Sequence, residues 1–135
     1  MAKPIRVIIL DDHQSIIDGY LYRLIKEPQI EVAATLTFGE DLEPVLAMHP
    51  TDVLLLDVNV PNSPEESSPY PILHTMPKLL DMYPGLNILI VTMYNEPELI
   101  RNVMEAGASG YLLKEDQGSR RPARRAGPHR RAPVR

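Results

Sequence analysis

Apolar residues gather into five short runs, at 5–10, 31–36, 53–56, 87–91 and 111–113, each rich in Ile, Val and Leu and each predicted to be a strand. Three of them are almost continuously apolar, the pattern of parallel strands covered by helices on both faces. The segments between them change to helical spacing. Ile16, Ile17, Tyr20, Leu21, Leu24 and Ile25 keep one face apolar over three turns and stop before Pro28. Leu99, Ile100, Val103 and Met104 make a second stripe, for which Asn95 is the expected N-cap and Gly107 the expected stop. Two further helices are weaker in pattern. In the first, Leu42, Val45 and Leu46 are few and Pro44 belongs in a first turn, so the helix is expected to begin near Glu43. In the second, the stripe from Ile72 to Tyr83 is interrupted by Pro77, which predicts a kink or a late start near Thr75.

Strand and helix thus alternate, and right-handed crossovers make the chain an α/β protein with a doubly wound, five-stranded parallel sheet in the order 2-1-3-4-5. Residues 59–71, NVPNSPEESSPYP, break the alternation and are expected to be an irregular loop. No internal repeat is visible.

Composition refines this picture in two places. The 135 residues suit one domain, with 44% hydrophobic and 24% charged residues, which favours neither a disordered chain nor a membrane protein. No apolar run approaches the roughly 20 residues of a membrane span, and the opening segment is too short for a signal peptide, so a cytoplasmic protein without membrane partners is expected. The absence of cysteine removes disulfide and thiol chemistry. Charge is the second place. Residues 1–119 hold all 18 acidic and 7 basic side chains, a net of −11, whereas 120–135 hold 7 arginines and no acid. The mild average of −4 therefore describes neither part. The expected organisation is one folded unit over 1–118 and a basic Arg/Pro-rich tail over 119–135. That tail has three readings: a disordered extension, an arm for nucleic acid or acidic lipid, or a shifted reading frame in the coding DNA near Gln117.

In such a sheet, ligands bind beyond the carboxyl ends of the strands where the strand order reverses. The first strand ends in Asp11 and Asp12, the third in Asp57, the fourth in Thr92, and the fifth runs into Lys114. Crowded carboxylates repel one another unless a cation is present, and oxygen ligands suit a hard ion such as Mg2+. A lysine and a hydroxyl beside them fit the oxygens of a phosphoryl group, so the set reads as a metal-assisted phosphoryl-transfer site. Taken singly, Asp12 also reads as a helix cap, and Lys114 as a solvated charge. His13, next to the acidic pair, reads as a first-turn polar residue, and the four histidines have no metal-ligand spacing. A phosphohydrolase would require a second aspartate two residues beyond the nucleophile, where this chain has Asn59.

The acidic pair in ILDDH, the aspartate ending VLLLD with Pro61 four residues on, the threonine ending LNILIVT and the lysine of EAGASGYLLK together resemble the receiver domains of two-component response regulators. The spacings of 45, 35 and 22 residues between Asp12, Asp57, Thr92 and Lys114 agree with that family, with a modest excess in the second. The resemblance implies a flavodoxin-like fold and a signalling module, not a turnover enzyme. It implies that Asp57 accepts a phosphoryl group from a phosphohistidine on a sensor histidine kinase. It further implies that Asp11, Asp12, Asp57 and the backbone carbonyl of Asn59 hold Mg2+, that Lys114 and Thr92 contact the phosphoryl oxygens, and that Thr92 and Tyr111 form a switch. The alternative is an atypical receiver, acting as an interaction module without phosphorylation. DDHQSIIDGY and EAGASGYLLKED are most similar to the subfamily whose receiver precedes a helix-turn-helix domain, so DNA would be reached only through a domain outside this chain. Three departures stand out: a longer, proline-rich loop after Asp57 that lacks the usual glycine, Met93 in place of a small residue, and a fifth helix missing or replaced after Lys114. The bare sheet face left by that helix predicts a homodimer or other self-association.

Overall fold

The computed structural model describes residues 3–93 and 95–114. The elements run β1 (Ile5–Leu10), α1 (Gln14–Leu24), β2 (Ile30–Leu36), a short 3-10 turn (Gly39–Asp41), α2 (Leu42–Met48), β3 (Val53–Asp57), α3 (Ile72–Met82), β4 (Asn87–Thr92), α4 (Pro97–Glu105) and β5 (Gly110–Leu113). The five strands form one parallel sheet in the order β2-β1-β3-β4-β5, as the alternation of patterns predicts. The register of β1 on β2 slips once, between Val7 and Ile8.

Period-two alternation divides the central strands between two apolar layers. Ile8, Leu10, Leu54, Leu56, Ile88 and Ile90 face the larger layer, with Leu42 and Leu46 of α2, Met76 and Leu79 of α3, and Val103 of α4. Val7, Ile9, Leu55 and Val91 face the smaller one, where α1 supplies buried Ile17 and half-buried Tyr20, Leu21 and Leu24. Because these strands are covered on both sides, Ile8, Leu10, Leu54 and Ile88 reach complete burial. The expected absence of a fifth helix and the expected tail over 119–135 both lie outside the described residues.

Three local expectations change. Glu96, in extended conformation, is the residue at the N-cap of α4 in place of Asn95, because Pro97 takes the first helical position, where a missing amide hydrogen costs nothing. At the other end Gly107 does stop this helix, with φ at +118°, a value open to residues without a Cβ. Next, α3 starts at Ile72 and runs through Pro77, without waiting for Thr75. The first turn is closed twice over, since both the amide and the hydroxyl of Thr75 donate to the Pro71 carbonyl, the hydroxyl at 2.8 Å. Finally, 59–71 is not irregular throughout. Pro61 and Pro69 form an antiparallel bridge, and Tyr70 N–H donates back to Val60 O at 2.9 Å. The hairpin so formed is fastened to the 3-10 turn by Gly39 N–H to Pro61 O and Glu40 N–H to Asn62 O, and it buries Tyr70 in the main core.

Candidate phosphoryl-transfer site

The site grows out of the place where the strand order reverses, between β1 and β3. Both strands end inside the core, so the acid just after β1 and the one that closes β3 are buried: Asp11 is 1% exposed and Asp57 2%. Asp11 is held by its amide, which donates to Leu36 O at 3.0 Å, and its Oδ1 accepts the His13 amide at 2.9 Å. That second bond turns the chain from β1 into α1. The amide of Asn59 is the corresponding donor for Asp57, 3.4 Å from Oδ1.

Opposite the two carboxylates stands Lys114, whose amide donates to Thr92 O at 2.7 Å and so continues the β4–β5 ladder by one residue. Its side chain is buried, and Nζ lies 3.1 Å from Asp11 Oδ2 and 3.5 Å from Asp57 Oδ1. One ammonium cannot satisfy this much negative charge. Asp11 Oδ2 is within ion-pair distance of Lys114 yet accepts no hydrogen bond of acceptable geometry, and Asp57 Oδ2 is buried with no partner. Burial pushes the Asp57 carboxyl above the ordinary carboxylate range; the Asp11 and Asp12 charges add to the rise, and Lys114 and the Asn59 amide oppose it. The same field reaches Tyr20 on α1, where burial first, and then Asp11 and Asp57, push the phenol up.

The structure thus brings together Asp11, Asp12, Asp57 and Lys114, with Thr92 buried at the end of β4 beside them in sequence register. Met93 is half exposed, and Tyr111 is half-buried against the main core. A further member went unrecognised as a site residue in the sequence: His13, whose Nδ1 lies 3.1 Å from Asp11 Oδ1 and 3.2 Å from Asp12 Oδ1. Its place directly after the acidic pair was the available signal. One ligand atom from each of Asp11, Asp12, His13 and Asp57 falls within 4.8 Å of every other, close enough to share one ion. Two buried carboxylate oxygens without hydrogen bonds are what a divalent cation would satisfy, so the residues present fit Mg2+.

The chain matches the family model described as the response regulator receiver domain over residues 7–120. Among curated proteins it is similar to the transcriptional regulatory protein DegU of Brevibacillus brevis, 33% identical over 115 residues that cover 84% of this chain and 45% of that protein. It is also similar to the oxygen regulatory protein NreC of Staphylococcus epidermidis, 34% identical over 109 residues, covering 81% of this chain and 47% of the relative. The chain therefore spans about half the length of the curated relatives it matches. Among solved structures, the isolated REC domain of RcsB from Salmonella enterica serovar Typhimurium, determined with the phosphomimetic BeF3−, superposes with a TM-score of 0.71 at 24% identity, covering 87% of this chain and 80% of that one. That likeness establishes the shared fold.

Proposed function

The chain belongs to the response regulator receiver family, a family of signalling proteins, and from that premise we propose that it is the phosphoacceptor module of a two-component phosphorelay. The observation that carries this reading is Asp57 itself: buried at the end of β3, with Oδ2 unpartnered and an ammonium 3.5 Å from Oδ1. A carboxylate so placed is short of hydrogen bonds and shielded from water, which makes it an available nucleophile. In the proposed step an Asp57 oxygen attacks the phosphorus of a phosphohistidine on a sensor histidine kinase. The P–N bond breaks, its electron pair returns to the imidazole, and an aspartyl phosphate remains. Lys114 neutralises a phosphoryl oxygen, and the Thr92 hydroxyl donates to another. Asp11, Asp12, Asp57 and the Asn59 carbonyl would hold Mg2+, which when bound offsets the charge that builds on the transferring group.

The reaction modifies the chain's own residue and turns over no other substrate. Its output is a change in packing: Thr92, drawn toward the phosphoryl group, releases space that Tyr111 fills, which alters the α4–β5 face. The resemblance to the transcriptional regulatory protein DegU supports a role in regulating transcription, and in this reading the regulator is cytoplasmic and DNA is reached through a domain outside this chain. The test is incubation with Mg2+ and a small phosphodonor followed by intact-mass measurement. A hydrolysable adduct with the mass of one phosphoryl group, absent from Asp57→Asn, is expected. If no adduct forms and beryllium fluoride also fails to bind, the phosphoacceptor reading falls.

A further inference from the structure

Charge and donor chemistry at the carboxylate cluster go beyond what a hard ion requires. Asp11, Asp12 and Asp57 bring three negative charges, and Lys114 returns one positive charge at 3.1 Å from Asp11. Two negative charges are left, the complement of one divalent cation. The fourth donor of the cluster is a nitrogen. His13 occupies the N-cap position of α1, where a side chain ordinarily accepts a hydrogen bond from an amide of the first turn, yet it makes no capping bond. Its ring is turned back over the strand ends, placing Nδ1 3.1 and 3.2 Å from oxygens of the acidic pair and 3.4 Å from Lys114 Nζ. A ring nitrogen of His13 in this position lies within 4.8 Å of a carboxylate oxygen of Asp57 as well, the residue whose Oδ2 is buried without a hydrogen bond.

We propose that His13 is a metal ligand, and that the Asp11, Asp12, Asp57 and His13 set binds first-row transition cations such as Mn2+, Co2+ and Zn2+ in preference to Mg2+. The inference rests on the reading of this cluster as a cation site. Imidazole nitrogen is a poor ligand for Mg2+, which keeps oxygen and water around it, but a good one for the later divalent ions. A neutral ring adds a lone pair without adding charge, so the balance of two negative against two positive is kept. His13 is half exposed and Asp12 a third exposed, which leaves room for water to complete the coordination. A chain that exchanges Mg2+ for such an ion would have its phosphoryl transfer tuned by the supply of transition metal.

The experiment uses the whole chain and its His13→Asn and Asp57→Asn variants, titrated calorimetrically with Mg2+ and with Co2+, together with pulsed EPR of the Mn2+ complex to detect coupling to nitrogen. Expected for His13→Asn are a loss of about tenfold or more in Co2+ affinity, Mg2+ affinity within about twofold of the parent, and disappearance of a nitrogen coupling that the parent shows. Asp57→Asn is expected to weaken both metals. If Co2+ affinity is unchanged in His13→Asn, or if the parent shows no nitrogen coupling, the inference is overturned while the Mg2+ site stands. If the parent binds neither metal, the cation site and the inference fall together.

Discussion

At the residue scale the chemistry follows from placing charge where the sheet leaves no water. Asp57 ionises above its usual range because it is buried, and this has a stability consequence with a definite sign. An acid whose folded-state value is raised favours the fold when protonated. Its cost is absent below the unfolded value of about 3.9 and grows as pH rises through the folded-state value. Asp57→Asn is therefore expected to stabilise the metal-free protein at pH 7, on the order of 1 kcal/mol, and to give no gain near pH 3.5; paired thermal melts in chelator measure both. Lys114 offsets the same buried charge. Replacing it with Met leaves buried carboxylates facing one another, and a loss of about 3 kcal/mol in urea unfolding is expected. The loss should shrink when Mg2+ is added, since a cation then takes over the role of the ammonium.

Elements carry these residues, and two of them are held in ways their local patterns oppose. α3 keeps Pro77 in its sixth position, where the ring meets the Leu73 carbonyl and supplies no hydrogen. Apolar burial of Ile72, Met76 and Leu79 outweighs that defect. Pro77→Ala should restore the bond and stabilise the fold by about 1–2 kcal/mol, the helical gain less the freedom returned to the unfolded chain, which a shift of the denaturant midpoint would show. The hairpin over 59–71 depends on Gly39. A Cβ there would stand 2.7 Å from Tyr70 Cβ and nearer still to its ring. Gly39→Ala should cost about 1–3 kcal/mol by lifting Tyr70 and the hairpin from the 3-10 turn. The double variant with Tyr70→Ala should lose less than the sum of the single losses, which a double-mutant cycle in denaturant measures.

For the whole molecule, the two buried carboxylate oxygens without hydrogen bonds couple metal binding to folding. A cation at 100 times its dissociation constant is expected to stabilise the chain by about 2.7 kcal/mol, a rise of roughly 8 °C in the midpoint of a domain this size. The rise should be much reduced in Asp57→Asn, and differential scanning calorimetry with and without Mg2+ checks it. No helix among the described residues is long and apolar enough to cross a membrane.

Much of this molecule was legible in the order of its residues. Strands and helices announce themselves by period, because covered strands need apolar side chains on both faces and an amphipathic helix needs only a stripe. Once that alternation implied a parallel sheet, the positions of Asp11, Asp12, Asp57, Thr92 and Lys114 at strand ends followed, since each run stops at a polar residue. What sequence could not supply was anything that depends on a partner far along the chain. The hairpin of 59–71 is fastened by amides of residues 39 and 40, more than twenty positions before the carbonyls they reach. His13 is the sharpest instance. Locally it reads as a first-turn polar residue, and only the approach of β3 and Lys114 from 44 and 101 residues away brings its ring nitrogen into a cluster with Asp57 and the ammonium. Local pattern decides what an element is; the field at a site is a sum over side chains that only tertiary structure brings together.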